Sequence, residues 1–168
     1  QKQFHLAWAA ELDVAHESFN MVDPLFSKNK LLRQAISMAL DSNEYIRLFF
    51  GGYATPAQGP IPPGLDGYDP AFKNPNRVFN LEKAKELLAK AGYPGGKGLP
   101  PLERVDVSRS TNRQVAEWVE KSLGALGIKV QTNFYTWPEF QQMVKKHKGH
   151  MWGFAWRADY PDAENFLQ

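Results

Sequence analysis

A chain of 168 residues, 43% of them apolar, is long enough to bury one core and too apolar to be disordered. Its 20 basic and 18 acidic residues leave a formal net charge of +2, so bulk electrostatics give no case for nucleic acid. The lack of cysteine removes disulfides, thiol catalysis and cysteinyl metal sites together.

No apolar run approaches the roughly 20 residues of a membrane span. Gln1-Lys2-Gln3-Phe4-His5 is not a basic cap leading into an apolar segment. With no initiator methionine and no terminating signal after Gln168, residues 1–168 are expected to be one α/β unit excised from a larger protein.

Phe4 to Ala10 reads as a strand, Glu11 to Ser18 is too polar to assign, and Phe19-Asn20-Met21-Val22 is a second short strand candidate. Lys28 to Leu40 is expected to be a helix, because Leu32, Ala35, Ile36, Ala39 and Leu40 recur on one face, with Asn29 or Ser27 as cap. A second helix runs from Asn43 to Phe50 and stops at Gly51-Gly52. Arg33 and Asp41 are assigned to surface or inter-helix ion pairs.

Residues 53–76 are dense in proline, with Pro56, Pro60, Pro62 and Pro63 close together. That composition forbids a long helix and predicts an ordered loop draped over the core, anchored by Tyr68 and Phe72. Its beginning, Gly51 to Gln58, is placed within reach of a ligand cleft. Leu81 to Ala91 is a helix between Asn80 as cap and Gly92 as stop, with Ala84, Leu87, Leu88 and Ala91 buried. Gly95-Gly96-Lys97-Gly98 follows a helix and lacks Gly-Lys-Ser/Thr, so it is read as a turn, not a phosphate loop.

The alternation then becomes regular. Strands at Leu102 to Val107, Ile128 to Phe134 and Met151 to Trp156 are separated by helices at Asn112 to Leu126 and from Trp137 to about His147. The second helix opens on a capping box, Thr136-Trp137-Pro138-Glu139. A β-α-β-α-β pattern implies adjacent parallel strands. The carboxyl ends of such strands share one rim, which is where ligands bind in open α/β sheets. That rim would carry residues 108–112, Tyr135 to Trp137 and Arg157 to Tyr160, bringing Trp137 near Asp159. Tyr160-Pro161-Asp162 is turn chemistry, so Asp159 stands just beyond a strand end between Trp156 and Tyr160. A carboxylate against aromatic walls suits a cationic group. It equally suits a turn cap beside a core Trp.

Asp159, Asp162 and Glu164 are also close carboxylates of the kind a glycosidase shows, yet all lie on one loop, whereas an acid and base need separate elements. His147 and His150 have no third ligand nearby, which argues against a metal. No cofactor and no catalytic residue is assigned.

Four stretches together resemble the bacterial oligopeptide- and dipeptide-binding proteins of ABC importers, solute-binding family 5. They are Leu32 to Asp41, Ala54 to Gly64, Ala84 to Pro94, and Trp137-Pro138-Glu139-Phe140 with Trp156-Arg157-Ala158-Asp159-Tyr160-Pro161-Asp162. The resemblance implies one lobe of a two-lobed type II periplasmic-binding-protein fold, and a monomer that binds short peptides and delivers them to permease subunits. It implies a periplasmic or extracytoplasmic location, with a lipid anchor as an option. In it, the acid matching Asp159 pairs with a peptide's α-amino group, and the indoles matching Trp137 and Trp156 line the cleft. Some members place arginine where this chain has Val144 and Gly153. Arg157 then either substitutes for them in the cleft or neutralises Asp159. Other branches bind nickel complexes, haem or sugars. The alternative reading is a glycan-binding or glycan-active domain using Trp137, Trp156 and the acids.

Overall fold

The structure, a computed structural model, describes residues 11–167. The strand expected at Phe4 to Ala10 lies outside them. Four strands, β1 (Asp13–Phe19), β2 (Leu102–Val107), β3 (Val130–Tyr135) and β4 (Met151–Arg157), form one sheet in the order β1-β4-β2-β3. β2 pairs in parallel with both β3 and β4, while β1 runs antiparallel along β4. Successive strands were expected to be neighbours. Instead β3 and β4 flank β2, so the connection between them crosses a strand.

β1 is the segment that looked too polar. It is a strand because antiparallel pairing splits its residues between two faces, Val14 opposite Trp156 and Glu17 opposite Gly153. Its continuation is not a strand. Asn20 is buried and donates to the His147 and Gly149 carbonyls, both at 2.8 Å, while its own Oδ1 accepts from the Val22 amide at 3.1 Å. That side chain turns the backbone out of the sheet.

Helices cover both faces. On one side α2 (Lys30–Ala39), α4 (Leu81–Lys90) and α5 (Ser110–Gly124) surround Leu32, Ile36, Leu88, Leu102, Leu123 and Met151. α1 (Pro24–Ser27) adds Phe26 to this core. On the other side α6 (Trp137–Lys145) lays Phe140 on Val105 and Trp152. The caps explain the boundaries. Asn29 accepts from the Leu32 amide, Asn80 from the Lys83 amide, and Gly92 continues in a left-handed conformation at φ 99°. Arg33 and Asp41 make no ion pair among the described residues. Arg33 donates to the Phe26 carbonyl, and Asp41 caps α3 (Ser42–Phe50) through the Asn43 and Glu44 amides.

The proline-rich loop is anchored differently from expectation. Leu65 and Pro62 are buried and Tyr68 half-buried, whereas Phe72 is exposed. Polar ties do the rest. The Asn74 amide donates to Gln58 Oε1 at 2.9 Å, and Gln34 and Ser37 of α2 bond the Asn76 side chain and carbonyl. The glycine run after α4 meets Gly127 backbone to backbone. A Cβ on Gly96 would stand 2.1 Å from the Gly127 oxygen, so close approach, not phosphate, requires glycine here.

Candidate ligand-binding site

The carboxyl ends of β2, β3 and β4 and the start of β1 lie at one end of the sheet, as the pairing register requires. Along β4, side chains alternate. Trp152, Phe154 and Trp156 face α6, and Gly153, Ala155 and Arg157 face the opposite way. The aromatic side forms a ladder. Trp137 stacks on Phe140 at 5.9 Å, Phe140 on Phe154 at 6.1 Å, and Phe154 on Trp156 at 6.2 Å with only 7° between planes.

The ladder ends in a cavity of about 740 Å³. Its walls are β1 through Val14 and His16, the loop through Gln58 and Arg77, and the end of β4 through Trp156 and Asp159. Gln58, at the end of the segment expected to approach a cleft, is therefore part of the lining. The turn after β4 is held by one amide. Asn165 Oδ1 accepts from the Trp156 indole at 2.7 Å and from the Asp159 backbone N–H at 3.2 Å. The short helix α7 (Glu164–Leu167) carries that asparagine and is capped by Asp162, which accepts from the Glu164 amide at 2.8 Å. Trp156 is thereby half-buried and fixed, while the Asp159 carboxylate is exposed and engages no side chain among the described residues. Tyr160 stands beside it, 47% exposed. His16 packs its ring against Phe154 at 5.7 Å. Burial above all, with the charge of Arg77 acting in the same direction, holds it below its ordinary pKa.

A second pocket of about 370 Å³ lies against the first and shares Glu17 and Phe154 with it. Trp137 borders this pocket, not the one with Asp159. The two residues expected to be neighbours are therefore spaced along the ladder. The floor is charged. Arg104 is buried, with Nη2 2.6 Å and Nε 2.9 Å from the two oxygens of Glu17, a bidentate pair. Its Nη1 lies 2.8 Å from Asp106 Oδ2, a charge contact without an aligned hydrogen bond. Burial alone would lower the guanidinium pKa. Glu17 and then Asp106 more than reverse that and keep it charged. Asp106 also accepts from Asn112 Nδ2 at 2.7 Å.

Arg104 explains Gly153. A Cβ there would come within 2.1 Å of Arg104 Nη2 and 2.6 Å of Asp106 Oδ2. The space at Gly153 is thus filled by a guanidinium from the adjacent strand, which already has its counter-ions. The signal that could have revealed it is the alternation Leu102-x-Arg104-x-Asp106, which puts two charges on an inward face and demands partners. Arg157 does not reach the cavity either. It faces away from Trp156 and pairs with Glu11 and, at 3.8 Å, with Asp13, so it neither replaces a cleft arginine nor neutralises Asp159. His150 is structural: its Nδ1 accepts from the Glu103 amide at 2.8 Å.

The description of the middle region of the bacterial extracellular solute-binding proteins, family 5, matches residues 1–168. The chain belongs to that family. It is 31% identical to di/tripeptide-binding protein 2 of Pseudomonas aeruginosa over 159 residues, covering 94% of this chain and 28% of the relative. Heme-binding protein A of Haemophilus influenzae is also 31% identical, over 93% of this chain and 28% of its own length. Among solved structures, the periplasmic binding protein DppA of Helicobacter pylori, in complex with peptide STSA, superposes with a TM-score of 0.84 at 32% identity, covering 94% of this chain and 29% of that one. A dipeptide-binding protein of Pseudoalteromonas in complex with Met-Leu gives 0.80 at 29% identity, over 94% and 31%. The chain thus spans about three tenths of the length of these proteins. The fold is one lobe of a type II periplasmic binding protein. The family and its neighbours are binding proteins.

Proposed function

We propose that this lobe supplies the amino-terminal recognition site of a peptide-binding cleft, in an extracytoplasmic protein that hands short peptides to an ABC importer and catalyses nothing. The observation that carries the reading is the Asp159 carboxylate, which has no side-chain partner among the described residues, on the rim of a cavity walled by Trp156 and Tyr160. A carboxylate so placed forms a charge-assisted hydrogen bond with an ammonium and fixes where an extended ligand begins. The names of the Pseudomonas and Pseudoalteromonas relatives, and the peptide bound to the Helicobacter protein, support the same ligand class.

The glycan reading loses ground on geometry. A sugar platform needs several free ring faces side by side, and the ladder stacks Phe140 and Phe154 between other rings, leaving outer faces only at its ends, Trp137 and Trp156, which border different pockets. Hydrolysis fares no better, because Asp162 is occupied as a helix cap on the same short turn as Asp159.

Calorimetry on the full-length protein with Met-Leu and N-acetyl-Met-Leu tests the role. Asp159→Ala should weaken the free peptide roughly 30-fold, about 2 kcal/mol, and leave the acetylated peptide's affinity nearly unchanged. Equal losses for both peptides would remove Asp159 from amine recognition.

A further inference from the structure

The amino ends of β2, β3 and β4 and the carboxyl end of β1 form the pole of the lobe opposite the ligand rim. Residues 20–31, 88–103, 125–131 and 144–152 meet there. Asn20 ties its turn to the His147 and Gly149 carbonyls, and Asn29 Nδ2 donates to the Ala91 carbonyl at 2.9 Å. Gly96 meets Gly127, and the Leu102 amide donates to the Lys129 carbonyl at 2.8 Å. These segments carry eight lysines and two acids, Asp23 and Glu103, against 12 basic and 16 acidic residues in the rest of the chain. A chain of net charge +2 is therefore polarised, and this is its positive end. The described residues enter and leave the lobe at the rim, where the Ala158 amide donates to the Leu12 carbonyl at 2.8 Å and Asn165 accepts from Trp156. The pole is the end away from both.

All eight lysines are exposed, and none is ion-paired among the described residues, whereas Lys83 and Lys85 earlier on α4 pair with Glu86 and Glu82. Helix dipoles account for only part of the set. Lys90 and Lys145 stand in the last turns of α4 and α6, where a cation offsets the terminal carbonyls. Lys97, Lys129 and Lys148 lie on connections, and Lys30 opens α2, the end at which the dipole disfavours positive charge. Met21 and Val22 stand out among the lysines, 50% and 64% exposed, on the turn that Asn20 pins beside Lys148. The large exposed aromatic side chains lie on other segments, and neither of the two cavities opens here.

That combination fits one kind of partner. An end without a cavity suits a surface and not a small anion. Single-stranded nucleic acid is held by aromatic stacking, which the pole lacks. The four segments contain no arginine. Arginine's planar fork suits a fixed carboxylate or phosphate, whereas lysine is a flexible, hydrated point charge that suits diffuse and mobile anions. An apolar tip amid lysines is the pattern that rests in the interface of a negatively charged bilayer. We infer that this pole docks on anionic phospholipid headgroups, its lysines held by the surface charge and Met21 and Val22 entering the interface. The inference goes beyond the peptide-binding reading and does not depend on it. Docked in this way, the lobe turns the ligand rim away from the bilayer, toward arriving solute.

Sedimentation of the full-length, unlipidated protein with vesicles tests it, phosphatidylcholine alone against phosphatidylcholine with about 30% phosphatidylglycerol. Wild type should bind only the anionic vesicles and leave them as salt is raised to about 0.5 M. The Lys145→Gln/Lys146→Gln/Lys148→Gln variant should bind at least about tenfold more weakly. Met21→Ser/Val22→Ser should bind severalfold more weakly. Lys73→Gln/Lys83→Gln/Lys85→Gln removes the same charge away from the pole and should bind like wild type. Absence of wild-type binding, or an equal loss from the two lysine triples, would overturn the inference. The first result would turn the pole over to an acidic protein surface, and the second would leave net charge as the whole effect. Affinity for Met-Leu should be unchanged in all three variants, so a failure of docking and a failure of peptide binding are read separately. Unchanged melting temperatures of the variants keep the comparison about the surface.

Discussion

Burying a guanidinium without partners costs several kcal/mol, and Arg104 avoids that cost through carboxylates from two different strands. Glu17 reaches it from β1 and Asp106 from its own strand, with Gly153 beneath making the room. The arrangement makes Gly153 more sensitive than a strand glycine usually is. The Gly153→Ala variant adds one methyl group, yet it must displace buried, paired charge and not a flexible chain end. We expect a loss of about 3 kcal/mol or more, measured by urea unfolding. A variant as stable as wild type would show that Arg104 swings aside freely. The alternation Leu102-x-Arg104-x-Asp106 shows from the sequence that Arg104 needs partners, but not that Glu17 of β1 supplies one or that Gly153 makes the room. Contacts between β1 and β2 side chains depend on which strand lies between them, and composition carries no trace of that order.

At the scale of elements, the segments readable in advance are those whose ends are marked locally. α4 has Asn80 and Gly92, and α6 has Thr136 and Glu139. In the latter the Glu139 carboxylate accepts from the Thr136 amide at 2.9 Å and from its hydroxyl at 2.7 Å, which holds the Glu139 pKa down. α6 begins with Trp137, so this cap also fixes the first rung of the aromatic ladder. Thr136→Ala should cost about 1 kcal/mol of stability by chemical denaturation. It should also loosen Trp137 on Phe140, visible as a shift in indole fluorescence. An unshifted spectrum with reduced stability would mean that packing on Phe140 alone seats the ring. β1 was illegible for the converse reason. Its Glu17 is matched by Arg104 on β2 and its Asp13 by Arg157 on β4, so neither propensity nor periodicity within the segment reveals it.

The molecule as a whole presents a site with one side open. Trp137 and Tyr160 are 43% and 47% exposed, and Asp159 lies at the rim between cavity and solvent. Sites for small ligands bury most of the ligand's surface, and this lobe offers walls on one side. The location of that rim was legible in advance, because strand ends are marked by turn residues such as Pro161. It did not reveal that the aromatics would be spread over two pockets, since that follows from the offset between β4 and α6. A ligand seated against Trp156 therefore needs a second surface, which the longer relatives are large enough to provide. Saturating the full-length protein with Met-Leu should lower its radius of gyration in small-angle scattering, as two lobes close on the ligand. Asp159→Ala should move this compaction to higher peptide concentration without abolishing it, because the walls remain and only the ammonium's partner is lost. A radius of gyration unchanged at saturation would mean that the ligand is held by one lobe alone, and that Trp137 and Tyr160 face solvent in the bound state as well.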